Sequence, residues 1–265
     1  MGTTIGIRLT GTDEKVYLTD FLKAGNDLLD FLTEIDITMS PSYKSTVDWR
    51  LRRLSYSSPA LLEVEGDTKE DQPDNRASII ETALQGVESL KKSSERPRGF
   101  NDKALEIGRD FARLIQNGVK SLEIISEDST VQYTVSILSN VDIILTPGKQ
   151  VYGSIEGRIE RMNSHGEFNF YLYEPILIRR IRCELMDSKD MALKKKIISL
   201  YEKAVAISGL LDTNINGEVT SAKVRDIDPK EVVPLLKDAS EVTGIWDLTG
   251  GTSPVEYVKE MRDDS

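Results

Sequence analysis

The run VYGSIEGRIE alternates for nine residues, with Val151, Gly153, Ile155, Gly157 and Ile159 on one face and Tyr152, Ser154, Glu156 and Arg158 on the other. Period two marks a half-buried strand. The two glycines on its apolar face add a constraint, because a glycine inside a strand marks a sharp bend or a close approach of another backbone. The chain from this point has to build a strongly curved sheet.

Short elements continue from there to about Ile227. NSHG makes a turn and EFNFYLY a second strand. IRRIRCEL makes a third, with Ile181, Cys183 and Leu185 on one face and Arg180, Arg182 and Glu184 on the other. DSKDMALKKKIISLYEKA reads as a helix, VAISGLL as a fourth strand, Asn216-Gly217 as a hairpin signal and EVTSAKVRDI as a fifth strand. Three strands, a helix and two strands, with the first strand bent by glycines, resembles the OB-fold from Val151 to about Ile227. The resemblance implies a binding face across the second and third strands, bordered by the first-to-second and fourth-to-fifth loops.

With Val151, Ile155, Phe168, Phe170, Leu172 and Ile181 turned inward, the outward set contains Tyr152, Arg158, Tyr171, Tyr173, Arg180 and Arg182. Aromatic rings stack on bases and guanidinium groups meet phosphates, and each stacked base is worth about 1–3 kcal/mol, so the face suits single-stranded nucleic acid. Glu156, Glu160, Glu174 and Glu184 lie among these groups and weaken the positive field. Tyrosine and arginine are equally residues of protein interfaces, which leaves a protein partner open.

The N-terminal part has a different texture. IGIRLTG alternates as a short strand, and Leu18 to Ile35 places Leu18, Phe21, Leu22, Leu28, Leu29, Leu32 and Ile35 on one face of a helix. VDWRLRRL and ALLEVEG flank the turn signal SYSSP as an expected antiparallel pair. Two further helices are expected in ASIIETALQGVESLKK and NDKALEIGRDFARLIQNG, the second with Asn101 as N-cap and Gly118 as stop. SLEIISE, TVQYTVSIL and VDIIL read as additional strands. The expected arrangement is α+β: a mixed sheet with about three helices over residues 1–147, an OB-like barrel over 148–228 and a helical tail over 229–265.

The net charge of −10 argues against attraction of nucleic acid by the overall field, so any such contact has to be local. A single cysteine, Cys183, and a single histidine, His165, remove internal disulfides and His- or Cys-rich metal sets. Cys183 reads as a buried thiol and His165 as a loop residue. No apolar run approaches a membrane span and the start lacks a secretory pattern, so the expected location is cytoplasmic, with no membrane contact and no cofactor. Glu63, Glu65 and Asp67, or Asp226 and Asp228, would hold magnesium for nuclease chemistry if another oxygen ligand reached them. LTGTDEK, TPGKQ and LTGGTS all lack the spacing of a phosphate-binding loop. Lys194, Lys195 and Lys196 spread around a helix as a solvated face.

At the C-terminus, Ser253-Pro254-Val255-Glu256 matches a capping box and opens a short helix whose stripe is Tyr257, Val258 and Met261. A helix this short needs a surface to dock on, either within the chain or on a partner protein, with Trp246 and Tyr257 as anchors. The arrangement resembles the toxin-binding tails of some bacterial antitoxins, in which a short segment after a folded domain covers an enzyme partner. The expected function is that of a non-enzymatic interaction or regulatory protein, of the kind found in bacterial defence modules. Single-stranded nucleic-acid binding and metal-dependent nuclease activity are the alternatives.

Overall fold

The computed structural model describes residues 3–40, 44–163 and 168–230, and residues through Pro229 form one compact unit with two hydrophobic cores. The first core lies under a five-stranded sheet. Its strands are β1 (Thr4–Gly11), β2 (Val47–Ser55), β3 (Ala60–Thr68), β4 (Val119–Ser126) and β5 (Thr130–Gln132), in the order β2-β3-β1-β4-β5. Every pairing in it is antiparallel, so the expected mixed sheet is corrected.

Four helices accompany this sheet among the described residues: α1 (Leu18–Met39), α2 (Arg76–Lys92), α3 (Asp102–Gln116) and α4 (Ser136–Leu145). The fourth replaces the strands expected from TVQYTVSIL and VDIIL, of which only Thr130–Gln132 is extended. Ile137, Val141 and Ile144 recur at spacings of four and three and are all buried. This is a helical period, masked in the sequence by β-branched composition.

Aromatic rings fill the space between helices. Phe31 meets Phe100 edge-on at 5.3 Å and Phe111 at 6.1 Å, and Phe111 lies 5.2 Å from the buried Tyr133. Asn101 caps α3 by accepting from Ala104 N at 2.8 Å, while its amide donates to Glu34 and Thr38 on α1. One cap residue therefore also fixes the packing of two helices. Asp36, fully buried near the end of α1, accepts from Thr46 N, Thr46 Oγ1 and Val47 N at 2.6, 2.7 and 3.1 Å, which anchors the start of β2.

The second core lies inside a closed ring of five strands: β6 (Pro147–Asn163), β7 (Asn169–Glu174), β8 (Arg179–Leu185), β9 (Ala204–Asn214) and β10 (Val219–Pro229). The ring runs β6-β7-β8-β10-β9 and back to β6, with β8 parallel to β10 and the other pairs antiparallel. Helix α5 (Met191–Ser199) joins β8 to β9, is capped by Asp190, and buries Leu193 and Ile197 in the ring core.

The TPGKQ segment is part of β6 itself, which begins at Pro147. A Cβ on Gly157 would fall 2.4 Å from Tyr173 O, the close backbone approach expected of a glycine there. Val151 departs from the expected inward set, being 43% exposed, because the ring core begins only near Ile155. Trp246, Tyr257, Val258, Met261 and His165 lie outside the described residues, as does the expected tail beyond Lys230.

Candidate functional site

Strand register, rather than sequence neighbourhood, assembles the outer face of β6, β7 and β8. Tyr173 pairs across β6 with Arg158 and across β8 with Arg180. The neighbouring outward position gives a second row, in which Tyr171 lies between Arg161 and Arg182. Each tyrosine thus stands between two arginines, and the Arg158 guanidinium sits 6.0 Å from the Tyr173 ring centre. Side chains of cross-strand partners are near enough to interact, so these rows form one surface.

Arg161 is the member that sequence reasoning missed. Strict alternation from Val151 turns it inward, but a register shift between Ile159 and Arg161 inserts Glu160 as an extra residue and brings Arg161 outward opposite Tyr171. The usable signal was chemical, because an arginine at an inward position of a small ring has no partner there. Arg161 is exposed, and no carboxylate lies within ion-pair distance of it among the described residues.

The other arginines have carboxylate neighbours. Arg158 Nη2 lies 2.5 Å from Glu160 Oε1, Arg180 Nε lies 3.6 Å from Glu160 Oε2, and Arg182 Nη2 lies 2.8 Å from Glu184 Oε1. Arg180 also turns away from the open face, donating to Ile37 O at 3.2 Å and Ser40 O at 3.0 Å at the end of α1. A cation at a helix C-terminus satisfies orphan carbonyls and the helix dipole. Burial lowers the Arg180 pKa to about 10 against the opposing pull of Glu160. Tyr152 stands apart, six residues along β6 from Arg158, about 20 Å at strand rise. It pairs with Leu210 of β9, outside both rows.

The lower border of the face is a junction with the first sheet's helices. Glu218 Oε1 accepts from Arg96 Nε at 2.6 Å and Arg179 Nη1 at 2.7 Å, and Arg179 Nε reaches Glu174 at 2.6 Å. Arg96 also reaches Asp102 at 2.7 Å and Phe100 O at 3.2 Å. Asn214 donates to Glu218 and to Ile144 O, and Asn216 donates to Ser94 O. The β9–β10 loop, expected as a border of the binding face, is therefore docked against the helical part of the chain. Beside it a cleft of about 270 Å³ is lined by Arg96, Lys103, Arg179 and Arg180.

No family model and no curated protein matches the sequence.

The acidic pairs have ordinary electrostatic partners. Lys196 Nζ bridges Asp226 at 3.0 Å and Asp228 at 3.1 Å, and these hydrogen bonds raise the lysine pKa and lower that of Asp226. Asp67 pairs with Arg50 at 2.6 Å, and Glu65 and Glu63 stand opposite Arg50 and Arg53. Among the described residues no three His, Cys, Asp or Glu side chains are grouped to hold a metal ion. Cys183 is buried in the ring core, and burial raises its thiol pKa. Lys194 lies 4.9 Å from the Phe168 ring. Among the described residues no helix is long and apolar enough to cross a membrane.

Proposed function

We propose that the chain is a non-enzymatic binding protein, that its ring is an OB-like barrel, and that the outer face of β6–β8 takes single-stranded nucleic acid. The barrel reading is supported by connectivity. Numbered from β6, the strands run one-two-three-five-four, three is parallel to five, and the helix falls between three and four. This matches the element order of the resemblance, and fold alone does not confer the function.

The observation that carries the functional reading is the pair of Arg–Tyr–Arg rows. Tyrosine faces offer sequence-tolerant stacking, and the guanidinium groups of Arg158, Arg161 and Arg182 stand beside them to meet phosphates, whereas Arg180 is committed to the end of α1. Arg161 supplies positive charge that no neighbouring carboxylate offsets among the described residues. The acidic whole is compatible with this only if the contact is short and local.

Oligonucleotide titration of the full chain tests the reading. Single-stranded oligonucleotide binds at low salt, the affinity falls as salt rises, and Tyr171→Ala weakens it by about 1–3 kcal/mol. Arg161→Ala reduces the salt slope. Arg180→Ala is a poor probe, because it also strips two hydrogen bonds from the end of α1. Absence of binding at low salt overturns the nucleic-acid reading.

A protein partner is the second reading, favoured by the glutamates beside Arg158, Arg180 and Arg182. On that reading the C-terminal segment, with Trp246, Tyr257, Val258 and Met261, supplies the anchors. Pull-down with the full chain and with a chain ending at Asp247 separates the two readings. A specific protein lost on truncation supports the tail-docking interaction, and retention of that protein by the truncated chain refutes it.

A further inference from the structure

Strand β2 is an outer edge of the open sheet, and its last half is exposed on both sides. Its register with β3 sets Leu51 opposite the buried Val64 and Leu54 opposite Leu62, so both leucines lie on the helix side of the sheet. The register shift between Leu51 and Arg53 keeps them on one face, absorbing Arg52. Yet Leu51 is 61% exposed and Leu54 55% exposed. Helix α1 meets the start of β2 through Asp36 and packs over β3, where a Cβ on Gly25 would touch Leu62 at 3.0 Å. Leu18 and Leu22, on the flank of α1 next to Gly25, are also more than half exposed. Tyr56 ties the end of β2 to the start of α1, through its hydroxyl to Val16 O at 2.7 Å and its ring to Phe21 at 5.6 Å. Exposed leucines of the α1 flank thus accompany exposed leucines on the helix side of a strand edge that pairs with no further strand among the described residues.

Arg50, Arg52 and Arg53 line the same strand. Arg50 pairs with Asp67 and Arg52 with Glu127, while Arg53 stands opposite Glu63 in the register with no carboxylate within ion-pair distance among the described residues. Edge arginines discourage a second copy of β2 from adding, because antiparallel pairing would set like charges against one another. Protection against self-pairing accounts for the arginines and leaves the four exposed leucines unexplained. An incoming strand with acidic residues on one face and apolar residues on the other satisfies both features.

We propose that β2 is a strand-addition site for an extended acidic segment of another protein, whose alternate apolar side chains cover Leu18, Leu22, Leu51 and Leu54. None of the four leucines belongs to the Arg–Tyr–Arg rows, and Arg180 meets α1 only at its other end, at Ile37 and Ser40.

The test uses the full chain and three labelled eight-residue peptides: alternating Val and Glu, alternating Val and Lys, and the Val-Glu peptide N-methylated at alternate residues. The Val-Glu peptide binds, weakens about tenfold as ionic strength rises from about 0.01 M to 0.15 M, and slows amide exchange in residues 47–55. The Val-Lys and N-methylated peptides do not bind. Arg53→Ala and Leu51→Ser each weaken the Val-Glu complex several-fold, while oligonucleotide affinity is unchanged. Failure of the Val-Glu peptide to bind at low salt, equal binding of the N-methylated peptide, or amide protection outside β2 overturns the proposal.

Discussion

In the β1–β5 sheet one face meets helices and the other meets water, so the core is completed by large rings between layers: Phe31, Phe100, Phe111 and Tyr133. In the β6–β10 ring every strand has two neighbours, and the interior is filled mostly by aliphatic side chains such as Ile159, Leu172, Ile181 and Val224 around the buried ring of Phe170, with α5 contributing Leu193 and Ile197. The open sheet keeps an exposed edge at β2, whereas closure leaves the ring none. The ring instead presents side-chain rows, whose spacing is fixed by its own hydrogen bonding. An edge offers backbone, and a closed surface offers side chains.

Each core should lose stability on truncation. Phe111→Ala removes a ring packed against two others and is expected to cost about 3–5 kcal/mol. Leu172→Ala in the ring is expected to cost about 2–5 kcal/mol. Denaturant unfolding followed by circular dichroism measures both losses. The comparison breaks if Phe111→Ala costs less than about 1 kcal/mol, since the interlayer rings would then not be packed as described.

The junction decides whether the two cores unfold together. Glu218→Ala leaves Arg96 and Arg179, whose side chains are 3% and 8% exposed, without their shared carboxylate. Breaking a buried ion pair from one side costs about 3–5 kcal/mol. The expected outcome is a split of one unfolding transition into two. A single unchanged transition would show that hydrogen bonds such as Asn214 to Ile144 O hold the regions without the ions.

Much of this organisation was legible in the sequence, for identifiable reasons. The Asn216-Gly217 turn and the Asn101 cap are local and the structure has both in place, while the alternation in VYGSIEGRIE holds for burial only from Ile155 to Ile159. Helix α4 was hidden because Ile137, Val141 and Ile144 are β-branched, so propensity spoke against periodicity. The candidate face was half legible. Alternation put Tyr171, Tyr173 and Arg182 outward, but the inserted Glu160 reversed the parity at Arg161. Arg180 was expected on an open face and instead bonds the end of α1, more than a hundred residues away. Local patterns carry no information about such a partner.

Cys183 offers a smaller-effect probe of the ring alone. Its thiol is buried and its pKa is raised by that burial, so the reactive thiolate is scarce in the folded state. Native protein should react with a thiol reagent only when the ring opens. Cys183→Ser puts a hydroxyl in the apolar core and is expected to cost about 1–3 kcal/mol. Fast labelling of folded protein would contradict the closed ring. Labelling accelerated by Glu218→Ala would show that the junction, as well as closure, protects it.

The smallest expected effect distinguishes a structural role for the acids of β10 from a metal-binding one. Lys196 holds the pKa of Asp226 below its usual range through a hydrogen bond, helped by the Ile227 amide. A folded-state pKa below the unfolded value, about 3.9, means that the stabilising contribution is present above that pH and is lost as pH falls through the folded value. Lys196 and both acids are substantially exposed, so screening keeps the contribution within about 1 kcal/mol. Asp226→Asn should therefore lower the melting temperature slightly at neutral pH, and the gap from wild type should close in strongly acidic buffer. Added magnesium should leave that gap unchanged, because Lys196 already occupies the space between Asp226 and Asp228. If magnesium instead raised the melting temperature of wild type but not of Asp226→Asn, the lysine bridge would be exchangeable for a cation and the acids would regain a ligand role.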